Sequence, residues 1–203
     1  MNDSGPSNVM PGGARMEHAC VVDTSVILRL GDEDAFHVIP QLFACTIVPQ
    51  KVLDEIINHQ ELKKEMEMYQ QKGKVKIVGS TMLNQFQEAS YNSVITSLRP
   101  YLSYEPGPHS NIGEMSAVAM AVALSVPIVL MDDSEAERVI AGILGIRNEI
   151  NIFRSVAVIR AAKARDIILR RTERALEKKW GSKGRPLMRS EDGDLLIEAL
   201  KQA

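Results

Sequence analysis

A chain of 203 residues, 45% of them hydrophobic, is long enough for one domain with a full core, or one domain plus an appendage, and too apolar to be disordered throughout. No apolar run approaches the roughly 20 residues that cross a bilayer, which argues against a membrane-spanning helix. The formal net charge of −2 conceals a split: residues 160–203 hold 12 Lys and Arg against 7 Asp and Glu, while the rest holds 12 against 19, an acidic body with a basic tail. Such a tail suits a nucleic-acid or acidic partner, and a solvated helical face is the equal competing reading.

In chain order, residues 1–18 are rich in Gly, Pro, Ser and Asn and lack an apolar segment, so they read as a disordered leader rather than a secretory signal, with Met16 as a candidate internal start. Ala19 to Val22 is a continuous apolar run, as expected of a central parallel strand buried on both faces, and Thr24-Ser25 can cap a helix over Val26 to Leu30. A second strand, Thr46 to Val48, stops at Pro49, and Lys51 to Gln71 has the spacing of one amphipathic helix carrying Glu55 near its start. Lys74 to Val78 reads as a short strand and Met82 to Leu98 as a helix, and the prolines from Arg99 to Asn111 demand a loop. Gly113-Glu114 opens a small-residue helix through Leu124, and Pro127 separates it from the strand Ile128 to Met131. Glu135 to Leu144 is a helix stopped by Gly145, Ile150 to Phe153 a strand, and Val156 to Trp180 one long helix broken by Gly181, Gly184 and Pro186, before a last helix over Asp194 to Gln202. Alternating strands and helices predict an α/β fold, a three-layer α/β/α sandwich on a mainly parallel sheet.

Five acids sit where such a fold converges them: Asp23 directly after the first strand, Glu55, Glu114, and Asp132-Asp133 directly after the late strand. In an open parallel sheet the carboxyl ends of the strands line the ligand crevice, so two strands ending in Asp set carboxylates side by side there. Clustered carboxylates at neutral pH need a cation, and an oxygen-only set suits Mg²⁺ or Mn²⁺ better than zinc. That chemistry points to metal-assisted phosphodiester cleavage. Each acid has a competing structural reading. Glu55 can be a solvated helix residue, Glu114 a first-turn acid favoured by the helix dipole, and Asp132-Asp133 a cap for the helix that follows.

Val21-Val22-Asp23-Thr24-Ser25, Val48-Pro49 leading to Glu55, Gly113-Glu114-Met115-Ser116-Ala117, and Leu130-Met131-Asp132-Asp133 followed by Ala141 to Ile146 resemble, in order and spacing, the PIN-domain ribonucleases. These include the toxins of toxin-antitoxin pairs and related stand-alone nucleases. The resemblance implies a PIN-like domain over 19–164 that cuts RNA, with Asp23, Glu55, Glu114 and Asp132 catalytic and Asp23, Glu114, Asp132 and Asp133 on one or two Mg²⁺ or Mn²⁺ ions. Thr24 and Ser25 then orient a ligating carboxylate or the phosphate, or cap the helix. An antitoxin partner and a homodimer are further implications.

Residues 165–203 form a basic helical extension outside the resemblance, and Arg170, Arg171, Arg174, Lys178 and Lys179 are its candidate RNA contacts, salt-sensitive and blind to sequence. Trp180, the single tryptophan, packs on a core or an interface more often than residues of its kind stack on a base. Cys20 and Cys45 lie in apolar stretches and read as buried free thiols of a reducing cytoplasm, and the histidines lack metal-ligand spacing. The main alternative is a non-catalytic PIN-like module that binds RNA or protein. A dehalogenase-like phosphatase would need an Asp where Ser25 stands, a receiver domain its acidic pair at the first strand, and a nucleotide-binding protein a glycine-rich phosphate loop.

Overall fold

The computed structural model describes residues 18–56, 58–102, 111–144, 150–182 and 192–202. The expected leader, the proline-rich stretch at 103–110, and the stops at Gly145, Gly184 and Pro186 lie outside the described residues. Among these residues the strands are β1 (Ala19–Val22), β2 (Cys45–Pro49), β3 (Val75–Val78), β4 (Ile128–Leu130) and β5 (Asn151–Phe153), all parallel, in the order β3-β2-β1-β4-β5. The order reverses at β1, so the chain's own connections diverge on either side of the gap between β1 and β4, where a parallel sheet opens its ligand crevice. The ladder carries past the strand end, with the Asp23 amide donating to the Leu130 carbonyl at 2.9 Å.

Strand alternation sorts the core into two layers. Cys20, Val22, Val48, Leu130 and Phe153 face α1 (Thr24–Gly31), α2 (Val38–Leu42), α3 (Gln50–Glu55), α4 (Gln60–Gln71) and α8 (Ser155–Ala164). Ala19, Val21, Ile47, Val129 and Met131 face α5 (Gln85–Leu98), α6 (Ile112–Leu124) and α7 (Ser134–Leu144). The result is the expected α/β/α sandwich. Helix α6 is buried nearly all round, because Gly113, Ser116, Ala117, Ala119, Ala121 and Ala123 let it lie close between the sheet and α5. Asn84 starts α5 with a capping box: its Oδ1 accepts from the amides of Phe86 and Gln87 at 3.0 Å, and the Gln87 side chain accepts from its own amide.

Two helices expected to be continuous are broken. The span Lys51 to Gln71 divides into α3 and α4, with a turn at Ile56, Asn58 and His59. The turn lets Ile56 bury near the sheet while Leu62 reaches α1, where a Cβ on Gly31 would come within 2.8 Å of its side chain. Glu55 therefore ends a helix rather than beginning one.

The span Val156 to Trp180 divides into α8 and α9 (Arg170–Ser182). Asp166 turns left-handed at φ 57°, and the amides of Asp166 and Ile167 return to the carbonyls of Lys163 and Ala162, closing α8 with a Schellman motif. Asp34, Gly73 and Ser125 end α1, α4 and α6 with the same backbone pattern, and glycine supplies only one of the four. Helices α9 and α10 (Asp192–Gln202) contribute Leu176, Trp180, Leu196 and Leu200 to the core on the α8 side of the sheet. Among the described residues no helix is long and apolar enough to cross a membrane, and Cys20 and Cys45 are buried free thiols.

Candidate active site

Asp23 leaves β1 in an extended conformation and caps α1, which its type favours. Its Oδ2 accepts from the Ser25 amide at 3.0 Å and the Ser25 hydroxyl at 2.5 Å. Its Oδ1 is buried with no hydrogen-bond partner among the described residues, and the residue as a whole is 0% exposed. Capping thus uses one oxygen and leaves the other beside Gly113. A buried carboxylate oxygen without a partner costs free energy, about 1–3 kcal/mol for a neutral group and more for a charged one.

Gly113, near the start of α6, shows what surrounds that oxygen. A Cβ there would stand 2.8 Å from Asp23 Oδ1, 2.8 Å from Glu55 Oε2 and 2.9 Å from Thr24 Oγ1. The missing side chain leaves a space walled by two carboxylates and a hydroxyl. The Thr24 hydroxyl donates to Glu55 Oε2, and the Gly113 amide also faces the Glu55 carboxylate. Glu55 itself stays exposed at the rim.

Glu114 follows on the first turn of α6. Burial, and then the charges of Asp23, Glu55 and Asp133, push its carboxyl up to about 8, so that it holds a proton at neutral pH in the metal-free protein. Asp23 is pushed up to about 6, by burial above all, against the hydrogen bonds from Ser25 and the Thr24 amide. Burial raises Glu55 as well. The charges of Asp23, Glu55 and Asp133, at the ends of β1, α3 and β4, thus all bear on Glu114 at the start of α6.

The two acids after β4 part company. Asp133 caps α7, with its Oδ1 accepting from the amides of Glu135 at 2.8 Å and Ala136 at 3.0 Å, and its charge bears on Glu114. Asp132 turns toward the other layer. Its Oδ1 accepts from the Ser155 amide at 3.0 Å, and its Oδ2 takes the Ser155 hydroxyl at 2.5 Å and the Arg29 guanidinium at 3.0 Å. Arg29 in turn lies over the Trp180 ring, 4.5 Å from its centroid. Arg29 and Ser155 were not among the residues singled out from sequence. Ser155 had a usable signal in its place just beyond a strand end, whereas Arg29 is one basic residue on a short helix and carries none.

A divalent cation fits this donor set in chemistry: the groups are all oxygens, one of them buried and unpartnered, gathered where a methyl group on Gly113 would crowd them. Among the described residues no group of three or more acids, imidazoles or thiols is arranged to hold a metal ion as it stands.

Arg170, Arg171, Arg174, Lys178 and Lys179 are all exposed on α9. Lys179 is committed to Glu33 at 2.6 Å. Trp180 is 1% exposed, so it packs in the core and is closed to a base.

A family model described as a PIN domain matches residues 19–179. No curated protein matches the chain. Since the matched span covers most of the sequence and includes β1 through most of α9, the chain belongs to the PIN-domain family, whose fold is of the nuclease type.

Proposed function

We propose that this protein hydrolyses RNA phosphodiester bonds with the help of Mg²⁺ or Mn²⁺ held by Asp23, Glu55, Glu114 and Asp133. The observation that carries the reading is Asp23 Oδ1, buried and unpartnered beside the space over Gly113. A bound divalent cation supplies two things in such a site: a lowered pKa for water, and positive charge against the phosphate as the leaving oxygen departs. The chain's own residues do the rest. Ser25 fixes Asp23 through Oδ2, Thr24 fixes Glu55, and Glu114, whose carboxyl is raised by burial and by the neighbouring acids, would hold a cation once deprotonated. Exposed Arg170, Arg171 and Arg174 attract the RNA backbone.

The competing reading is a PIN-like module that binds RNA or a partner protein without cutting. Cleavage of a mixed pool of labelled RNA and single-stranded DNA with Mn²⁺, Mg²⁺ or EDTA separates the two readings. Metal-dependent cutting of RNA that is lost in Asp23→Ala supports the nuclease. Neither cutting nor Mn²⁺ binding by the folded wild type supports the module. The resemblance also implies a toxin, for which growth arrest on induced expression, relieved by Asp23→Ala, is the test.

A further inference from the structure

We infer that Asp132 is a positioning residue rather than a ligand of the cation: with Arg29 and Ser155 it forms a brace that holds Asp23 in place and ties α9 to the crevice. The inference rests on the cation reading given above and assigns the acids within it. Both carboxylate oxygens of Asp132 are consumed inside the protein, one by the Ser155 amide, the other by the Ser155 hydroxyl and Arg29. The Asp132 and Arg29 side chains are 8% and 11% exposed, so the pair is shielded from water, where a charge-assisted contact holds far better than at a surface.

The brace continues at both ends. On one side the Asp132 amide donates to Ser25 Oγ at 3.1 Å, and the same hydroxyl donates to Asp23 Oδ2. A hydroxyl held between that amide and that carboxylate has its single hydrogen directed at Asp23, which leaves Oδ1 alone toward the space over Gly113. On the other side Arg29 rests on Trp180, which is buried in α9. An Asp132 that turned to a cation would strand Arg29, whose Nε is already buried without a partner, and would empty two hydrogen bonds at Ser155. Removing one partner of a buried ion pair costs far more than an exposed pair contributes. Asp133, with one oxygen on a helix cap and its charge on Glu114, is the acid of the pair that faces the site.

The test is a double-mutant cycle of Asp132→Asn and Arg29→Met, with Asp133→Asn and Ser25→Ala as companions. It is read by calorimetric Mn²⁺ affinity, thermal melting, and kcat and KM for a cleaved RNA. A brace predicts that Asp132→Asn keeps Mn²⁺ affinity within about threefold of wild type, while Asp133→Asn loses tenfold or more. It also predicts that Asp132→Asn and Arg29→Met each lower the melting temperature and that together they lower it little further, because coupled partners are not additive. Ser25→Ala should lower kcat about 10–100-fold at unchanged KM, the range for residues that orient ligands.

A folded Asp132→Asn protein that loses Mn²⁺ as completely as Asp23→Asn does, with additive melting shifts in the cycle, overturns the brace and makes Asp132 a ligand. If the wild type binds no Mn²⁺, the cation reading falls instead, and the melting cycle still decides whether Arg29 and Asp132 act as one unit.

Discussion

Gly113 stands where a methyl group would come within 2.8 Å of Asp23 Oδ1, and the two residues are brought together from the start of α6 and the end of β1. The added Cβ of Gly113→Ala would also meet Glu55 Oε2 at 2.8 Å and Thr24 Oγ1 at 2.9 Å. Overpacking of this kind costs about 1–3 kcal/mol. The variant should stay folded, melt at a lower temperature, and lose Mn²⁺ binding and RNA cleavage at least tenfold. Calorimetry and melting on the same sample check both, and unaltered Mn²⁺ affinity would place the cation elsewhere.

Asp23→Asn should separate stability from function. Its carbonyl oxygen can keep both hydrogen bonds from Ser25, and its amide can stand where unpartnered Oδ1 faces Glu55. Removing a buried, repelled charge should raise the melting temperature of the metal-free protein by roughly 2–4 °C, which corresponds to about 1 kcal/mol in a domain of this size. Cleavage should disappear. A variant that melts lower than wild type in EDTA would show that the Asp23 charge is not under strain.

The acids set a pH dependence of definite sign. Glu114 is raised from 4.5 to about 8 and Asp23 from 3.8 to about 6, so the folded protein keeps protons that the unfolded chain has released. Stability from these groups is fully present below about pH 4 and is lost as pH rises through about 6 and then about 8. Metal-free melting temperatures should therefore fall across that window. Mn²⁺ must displace the same protons, so its apparent affinity should rise over the window and level off above it. Melts in EDTA and in Mn²⁺ across this range check both signs, and parallel curves would refute competition between proton and cation.

Neutralising Arg170, Arg171 and Arg174 to Gln should weaken RNA binding across sequences without altering Mn²⁺ affinity. For single strands the dependence of log K on log salt lessens by about 0.7 for each phosphate that the protein no longer neutralises, so all three together should flatten the slope by up to about 2. Fluorescence anisotropy at several salt concentrations measures it. An unchanged slope removes α9 from the RNA path.

A chain ended at Ala164 should fail to unfold cooperatively. It loses Leu176, Trp180, Leu196 and Leu200, all buried in the core on the α8 side of the sheet. At about 1.5–3 kcal/mol for each fully buried large side chain, that is comparable with the whole stability of a typical domain. Dye binding and a broad, featureless melt are the expected signs. A sharp transition would make 165–203 a true appendage.

The sheet and most of its helices were legible because their cues are local. An apolar run ending in Asp marks a buried parallel strand meeting a crevice, as at Val22-Asp23 and Met131-Asp132, and the alternation of strand and helix signals points to the sandwich. The helix breaks at Ile56 to His59 and at Arg165 to Leu169 were not legible, because tertiary packing overrides a helical period: Leu62 must reach Gly31, and Asp166 turns left-handed where no glycine announces it. At the site, Asp23 and Glu114 were legible as acids at element ends, whereas Glu55, expected near the start of a long helix, ends a short one and meets Asp23 at Gly113. The resemblance ranks Asp132 with the catalytic acids and adds Asp133 as a further ligand, whereas Asp133 is the acid proposed above to hold the cation. What distinguishes them is Arg29 and Ser155, partners set by packing rather than by spacing.

Ser25 and Asp132, joined across the crevice, are separated by 107 positions along the chain. Parallel pairing of β1 with β4, two strands with β2 and β3 between them in sequence, defers that meeting until β4 has been made. A nascent chain emerging from the ribosome carries Asp23 and Glu55 early, with neither Glu114 nor the far wall of the crevice yet synthesised. The order of translation thus leaves the pocket without its far wall until the chain has been made past Asp133.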